Sequence, residues 1–307
     1  MRHLARDVEA AINAVVRGRE EVVRLTLIAL LSGGHLLIED VPGVGKTLLA
    51  KSLATAVGGK FNRVQATPDL LPSDITGSSI YQAVDGIWEF HPGPVFANVV
   101  IVDEVNRATP RTQAAVLEAM EERQVTVDGV SRALPDPFFL VATQNPRDHA
   151  GTFPLPDGQL DRFALTTSMG YPAAADEADV LLGHGGAGAL ESVVQVVTPD
   201  QLSDAIAVVR RLHVERSLAE YVVGLVTTSR THPAIALGAS PRAATALLRA
   251  AQARAAIDGR AHVVPDDVQT LAAPVLAHRL VLRDGAGVDA AALVVDDLVG
   301  RVAVPRQ

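Results

Sequence analysis

Nine consecutive residues, Glu39-Asp-Val-Pro-Gly-Val-Gly-Lys-Thr47, have the composition of a phosphate cradle. Gly43 and Gly45 permit backbone conformations that turn amides inward and let the chain approach phosphates closely. Lys46 is spaced to reach the β- and γ-phosphates of a nucleoside triphosphate, and the Thr47 hydroxyl to ligate Mg²⁺. Pro42, Val44 and Leu48 complete the loop and the first turn after it. A helix starting at the lysine would add its positive end. The strict pattern asks for glycine where this chain has Asp40. Aspartate tolerates turn geometry better than most residues, and the phosphate-facing half is intact. The competing reading is a turn that contains Gly-Lys-Thr by coincidence.

A second group supports the first. Asn98-Val-Val-Ile-Val-Asp103-Glu104 reads as a buried strand ending in two carboxylates. Asp103 would hold Mg²⁺, while Glu104 would orient and deprotonate an attacking water. A surface Asp-Glu pair is the bland alternative. Val141-Ala-Thr-Gln-Asn145 is another apolar strand ending in amides, and Asn145 could bond the γ-phosphate or the lytic water. Two arginines follow. Arg162, in Leu160-Asp-Arg-Phe163, has no internal task that lysine and magnesium leave undone, but offered from a neighbour it would stabilise transition-state charge. Arg242, in Gly238-Ala-Ser-Pro-Arg242, could reach the phosphates from a separate helical unit. Either could instead sit in a surface ion pair.

The elements that must position these residues alternate. Helical spacing is expected over residues 4–15, 20–32, 46–57 and 110–122, and buried strands over 35–39, 61–65, 99–102, 138–142 and 163–167. Strands alternating with helices predict a mainly parallel sheet covered on both faces. Asp85-Gly86 and Asp128-Gly129 sit inside alternating runs, which predicts two inserted hairpins. The first carries Tyr81, Ile87 and Trp88, either packed on the domain or facing a partner or pore. From Pro199 the chain turns alanine- and leucine-rich, with helices expected near 199–211, 217–230, 241–257 and 265–279. The expected plan is an α/β core over 1–170, a helical lid over 171–285 and a tail over 286–307. The glycine-rich stretch 183–188 is expected as a mobile loop.

Bulk properties narrow the function. The 307 residues carry a formal net charge of -8, with 48% hydrophobic and 20% charged residues. That is globular composition, and the acidic balance argues against broad nucleic-acid binding. Cysteine is absent, which removes disulfides, Cys-ligated zinc and thiol catalysis. The nine histidines show no metal-ligand spacing. Of the 27 basic residues only Lys46, Lys51 and Lys60 are lysine, so a lysine inside the glycine loop suggests a need for a compact ammonium there. The N-terminal MRHLARDVEA lacks an export signal's apolar core, and no apolar run is long enough for stable membrane insertion. A soluble, cytoplasmic protein is expected.

In this order and spacing the motifs resemble those of AAA+ ATPases, and of the MoxR family in particular. The likeness is carried by Gln65–Gly77, Gly93–Asn98, Asp103–Ala108, Thr112–Met120, Ala142–Pro146, Gly151–Pro156 running into Leu160–Phe163, and later by Gly238–Arg242, Gly259-Arg260 and Pro265–Val268. It spans roughly residues 12–282. The resemblance implies a five-stranded sheet of order 5-1-4-3-2, hairpins inserted at the second helix and before the sensor 1 strand, and a small helical lid. It implies Lys46 and Thr47 as Walker A, Asp103 and Glu104 as Walker B, Asn145 as sensor 1, Arg162 as arginine finger and Arg242 as sensor 2. It implies that the stretch Val16–Gly18 lies against adenine. ATP and Mg²⁺ would be the cofactors. A hexameric ring, a chaperone-like role in maturing client proteins or inserting metal cofactors, and a separate von Willebrand factor A domain partner are further implications. An AAA+ nucleic-acid motor or transcription regulator is the alternative, weakened by the charge and by the absence of GAFTGA. A non-hydrolysing scaffold is weakened by the presence of both Asp103 and Glu104.

Overall fold

The computed structural model describes residues 1–145, 151–182 and 186–305. Two helices open the chain, amphipathic α1 (Arg2–Asn13) and largely buried α2 (Glu20–Leu31). The α/β part follows with β1 (Leu36–Glu39), α3 (Lys46–Ala56), β2 (Phe61–Gln65), α4 (Pro72–Thr76), β3 (Gly77–Gln82), β4 (Ile87–Pro92) and β5 (Val99–Asp103). It continues with α5 (Pro110–Glu122), β6 (Gln124–Val127), β7 (Val130–Ala133), β8 (Phe139–Gln144), α6 (Asp157–Leu160) and β9 (Leu165–Thr167).

Five strands form one parallel sheet in the order β2-β5-β8-β1-β9. Counted along the sheet's own strands this is the expected 5-1-4-3-2. All five residues of β5 are buried, and β8 is buried over its first five. Such continuous apolar runs belong to strands covered on both faces. Because the strands are parallel, the C-terminal ends of β1, β5, β8 and β9 lie on one edge, where ligands of open α/β sheets bind.

Both hairpins are present. In β6–β7 the turn residues Asp128 and Gly129 have φ of 54° and 74°, as a two-residue primed turn requires. In β3–β4 the connection is longer than Asp85-Gly86 alone: Gln82 pairs with Ile87, leaving residues 83–86 in the turn. Tyr81, Ile87 and Trp88 are exposed, Trp88 by 71%. Tyr81 and Trp88 touch each other, with ring centroids 5.4 Å apart. Of the two readings of this hairpin, packing on the domain is therefore not the one observed.

The second half contains α7 (Ala174–Leu181), α8 (Pro199–Arg210), α9 (Arg216–Thr231), β10 (Ile235–Leu237), α10 (Pro241–Ile257), α11 (Pro265–Leu276), β11 (Val281–Leu282) and α12 (Val288–Arg301). Three features differ from expectation. Residues 286–307 are not a plain tail, because α12 buries Ala291, Val295 and Leu298. Of the glycine-rich stretch, 183–185 lie outside the described residues, and a 3-10 segment runs from Gly186 to Ser192. The two halves also share a core: Val23 and Leu27 of α2 pack in one apolar cluster with Leu202 of α8, Leu247 of α10 and Leu271 of α11. Asp267, fully buried, closes this cluster by pairing with Arg254 (2.9 Å) and Arg260 (2.5 Å). No helix among the described residues is long and apolar enough to cross a membrane.

Candidate active site

The glycine loop leaves β1 and enters α3 at Lys46, as the spacing predicts. Gly43 and Gly45 have φ of 87° and 99°, a region open to glycine and costly for other residues. A Cβ on Gly43 would meet nothing within 4 Å, so conformation and not space calls for glycine there. Asp40 needs no such conformation, because its φ is not positive. Its carboxylate instead accepts hydrogen bonds from the amides of Val41 (2.7 Å) and Gly170 (2.6 Å) and from the Ser168 hydroxyl (3.0 Å). Burial would push this carboxyl up, yet those donors hold it below its ordinary value. Turn tolerance, the expected reason for an aspartate here, is thus replaced by a tie to the strand-β9 exit. Lys46 Nζ donates to the Asp40 carbonyl at 2.8 Å. Burial lowers the Lys46 pKa, opposed by Asp40, Asp103 and Glu104.

Asp103 ends β5 and is 7% exposed. Its Oδ2 lies 3.4 Å from the Thr47 hydroxyl and its Oδ1 3.3 Å from that of Thr143 on β8. One hydroxyl and one carboxylate converging in this way fit a Mg²⁺ ion whose other ligands are phosphate oxygens and water. The same Oδ2 receives a guanidinium N–H from Arg63 at 2.7 Å, so a cation already stands at this point. Glu104 adopts φ of 56°, an uncommon left-handed conformation for a non-glycine residue and one found at functional sites. Its amide donates to the Thr143 hydroxyl at 3.0 Å, and its carboxylate meets Gln65 (3.2 Å) and Arg107 (3.0 Å).

Lys46, Thr47, Asp103, Glu104 and Asn145 all line one cavity of about 760 Å³. Pro42, Gly43, Val44, Gly45 and Leu48 form its floor, and Val15, Val16, Tyr171 and Leu181 an apolar side suited to a base. Gly18 is not a lining residue. It turns the chain at φ of 65°, and its carbonyl accepts from Arg19, which also bonds the Gly170 carbonyl at 2.9 Å. Pro146, the last residue of the expected sensor 1 motif, lies outside the described residues.

The two arginines lie elsewhere. Arg162 Nε is 3.2 Å from Glu121 Oε2, and Arg242 bonds the other oxygen of the same carboxylate. Both line a second cavity of about 280 Å³, together with Arg123, Arg210, Arg249 and Arg279. Arg242 is therefore not brought to its own chain's nucleotide cavity, contrary to the expectation that it reaches the phosphates from the lid. Arg162 Nε is buried and has no hydrogen bond of good geometry, its contact with Glu121 being an ion pair. Asp161, next to it, accepts from Arg279 (2.8 Å) and Ser240 (2.8 Å), fixing the motif against the lid.

Arg63 and Glu121 lie outside the motifs, and Gln65 and Thr143 stand inside motifs without a role of their own assigned. Arg63 and Gln65 stand two apart on β2, and Thr143 two before Asn145, so period-two spacing places each pair on one face. That signal was available. Nothing local marks Glu121.

Comparison with known proteins agrees with this geometry. The profile of the "ATPase family associated with various cellular activities (AAA)" matches residues 35–165, and an AAA lid domain profile matches 227–297. The chain is 46% identical to an uncharacterised protein, YeaC, of Bacillus subtilis, over 96% of this chain and 93% of that one. It is 37% identical to Chaperone MoxR1 of Mycobacterium tuberculosis, over 96% of this chain and 81% of that protein. A crystal structure of a candidate ATPase from Cytophaga hutchinsonii superimposes with a TM-score of 0.91 at 33% identity, covering 99% of this chain and 96% of its own. With the strand order, the inserted hairpins, the lid and the phosphate loop in agreement, the chain belongs to the MoxR family of AAA+ ATPases, chaperone-like proteins that bind and hydrolyse ATP.

Proposed function

We propose that this chain hydrolyses ATP with Mg²⁺ in order to remodel or mature partner proteins. The observation that carries the reading is the convergence of Lys46, Thr47, Asp103, Glu104 and Asn145 on one cavity at the C-terminal edge of the sheet. Lys46 and the loop amides would grip the phosphates, and Thr47 and Asp103 would hold Mg²⁺, which would supply positive charge beside the γ-phosphoryl group. Glu104 takes the proton of the attacking water, with Asn145 aligning it. Val16 and its neighbours cover the adenine, with Gly18 setting the turn.

Arg162 and Arg242 act on the nucleotide of an adjoining copy. Their pairing at Glu121, away from their own chain's cavity, supports this shared-site reading. A closed ring, hexameric as in the family, supplies the required neighbour to every copy. The exposed hairpin with Tyr81 and Trp88 is the surface offered to the client or to a separate von Willebrand factor A domain protein, and the cytoplasm is the compartment. The core over 1–170 and lid over 171–285 act as the two moving parts.

The test is a pair of variants. Lys46→Ala abolishes binding of a fluorescent ATP analogue, whereas Glu104→Gln retains it and lowers turnover by at least about a hundredfold. Unchanged turnover in Glu104→Gln would remove that residue from its role. Pull-down with ATP-loaded Glu104→Gln protein would then identify the client.

A further inference from the structure

The Asp103 carboxylate ends a fully buried strand, and a buried carboxylate without a cation carries a large desolvation cost. Lys46 is near enough for its charge to act on Asp103, but its hydrogen bond goes to the Asp40 carbonyl. Arg63 instead meets Asp103, and on Oδ2, the oxygen that faces the Thr47 hydroxyl. The guanidinium therefore stands on the Asp103 oxygen nearest Thr47, and these are the two residues that would hold a metal. Its position permits departure. Arg63 lies on β2, the edge strand of the sheet, and its side chain is 51% exposed. Swinging out to solvent breaks one ion pair, to Asp103, and one hydrogen bond, to Gln65.

We propose that Arg63 is the resident counter-ion of the metal-binding carboxylate, held there until Mg²⁺ arrives with the nucleotide and takes its place. The inference rests on the ATPase reading of this cavity and adds a residue to it. Arg63 is a positioning residue: it keeps Asp103 neutralised and aimed while the site waits. A guanidinium and a divalent ion compete for one oxygen, so free Mg²⁺ binds weakly, and the added negative charge of the triphosphate is what lets the metal win. The exchange also reaches Glu104. Arg63 donates to Gln65 Oε1 at 3.1 Å, and Gln65 Nε2 donates to Glu104 Oε2 at 3.2 Å. When the guanidinium leaves, the Gln65 amide loses one of its partners, while Glu104 keeps its ion pair with Arg107.

The experiment is a titration of the full-length protein with Mn²⁺ in the absence of nucleotide, read by electron paramagnetic resonance of the free ion. Wild type binds weakly. Arg63→Gln binds Mn²⁺ about tenfold tighter, because one competing charge is gone. Arg63→Lys, which keeps the charge, stays near wild type, and adding Asp103→Asn to Arg63→Gln cancels the gain. Arg63→Met serves as a second uncharged variant should Arg63→Gln melt early. Unchanged or weaker Mn²⁺ binding in the uncharged variants overturns the proposal, as does a gain that survives Asp103→Asn. Binding of a fluorescent ATP analogue with Mg²⁺ by wild type is measured alongside: its failure sinks the ATPase reading, while its success with a flat Mn²⁺ response sinks only the role of Arg63.

Discussion

Asp40 illustrates how a residue that breaks a motif can be explained once its contacts are known. Sequence alone offers conformational tolerance as the reason for an aspartate at a glycine position. The molecule instead uses three donors, from Val41, Ser168 and Gly170, to bind the glycine loop to the chain leaving β9. Lys46 rests on the backbone carbonyl of the same residue, so Asp40 braces the loop through both its side chain and its main chain. Asp40→Ala leaves those part-buried donors without their acceptor. It should lower unfolding free energy by about 1–3 kcal/mol, measured by denaturant titration, while nucleotide affinity falls by less than about tenfold. Loss of nucleotide binding as complete as in Lys46→Ala, in a variant that stays folded, would show that Asp40 acts on the ligand directly. This role escapes sequence reading because two of the partners, Ser168 and Gly170, are more than a hundred positions away. Lys46, Thr47, Asp103 and Glu104 did not escape, since their chemistry is compressed into adjacent residues.

At the scale of elements, legibility followed length and burial. The strands β2 and β5 and the helices α3, α5 and α10 lie within a residue of expectation, because long buried faces repeat a period. Helix α7 buries none of its residues and so carries no periodic stripe to detect. The strands β10 and β11 have three and two residues, too few for alternation. Helix α12 did carry a signal, Ala291, Val295 and Leu298 at helical spacing, diluted by Asp289, Asp296 and Asp297. His35 shows what an element joint can hide. It enters β1, accepts from the Leu140 amide through Nδ1 (3.0 Å) and donates through Nε2 to the Met120 carbonyl (3.0 Å), tying β8 and α5 together as a neutral ring. Burial, and secondarily the charge of Arg123, push its pKa down to about 4, against the pull of the Met120 carbonyl. An unfolded chain takes up this proton near the ordinary value of 6.5, the folded chain only near 4. Between those values the unfolded state holds more protons, so stability falls as acid is added, by about 3 kcal/mol in total from this ring. Chemical melts from pH 7 to pH 4 should show a steeper loss for wild type than for His35→Gln. Parallel profiles would mean that the ring is protonated while folded.

For the whole molecule, the separation of the two cavities decides the argument. One cavity holds the lysine, both carboxylates and the sensor amide; the other gathers six arginines around Glu121 and Asp161. That excess of positive charge sits on a chain whose net charge is -8, so it marks a face and not a general property. Local pattern could not reveal this, because the sequence places Arg162 near the sensor strand without saying which way the intervening chain turns. If the arginine face of one copy meets the phosphate-loop cavity of the next, the two surfaces differ and the contact is heterologous; such a contact gives a ring where its rotation closes and a filament where it does not. Mixing tests this directly. Arg162→Ala subunits retain their own Glu104 but offer no arginine; Glu104→Gln subunits offer Arg162 but cannot activate water. Each alone should bind ATP and turn over at background. In a mixture, an Arg162→Ala subunit whose cavity faces a Glu104→Gln neighbour has every group it needs, so hydrolysis should reappear, peaking near equal proportions and vanishing on dilution below the assembly concentration. Recovery that is absent at all ratios, in preparations shown by light scattering to contain mixed assemblies, would mean that each copy completes its site alone and that Arg162 and Arg242 serve only to hold Glu121.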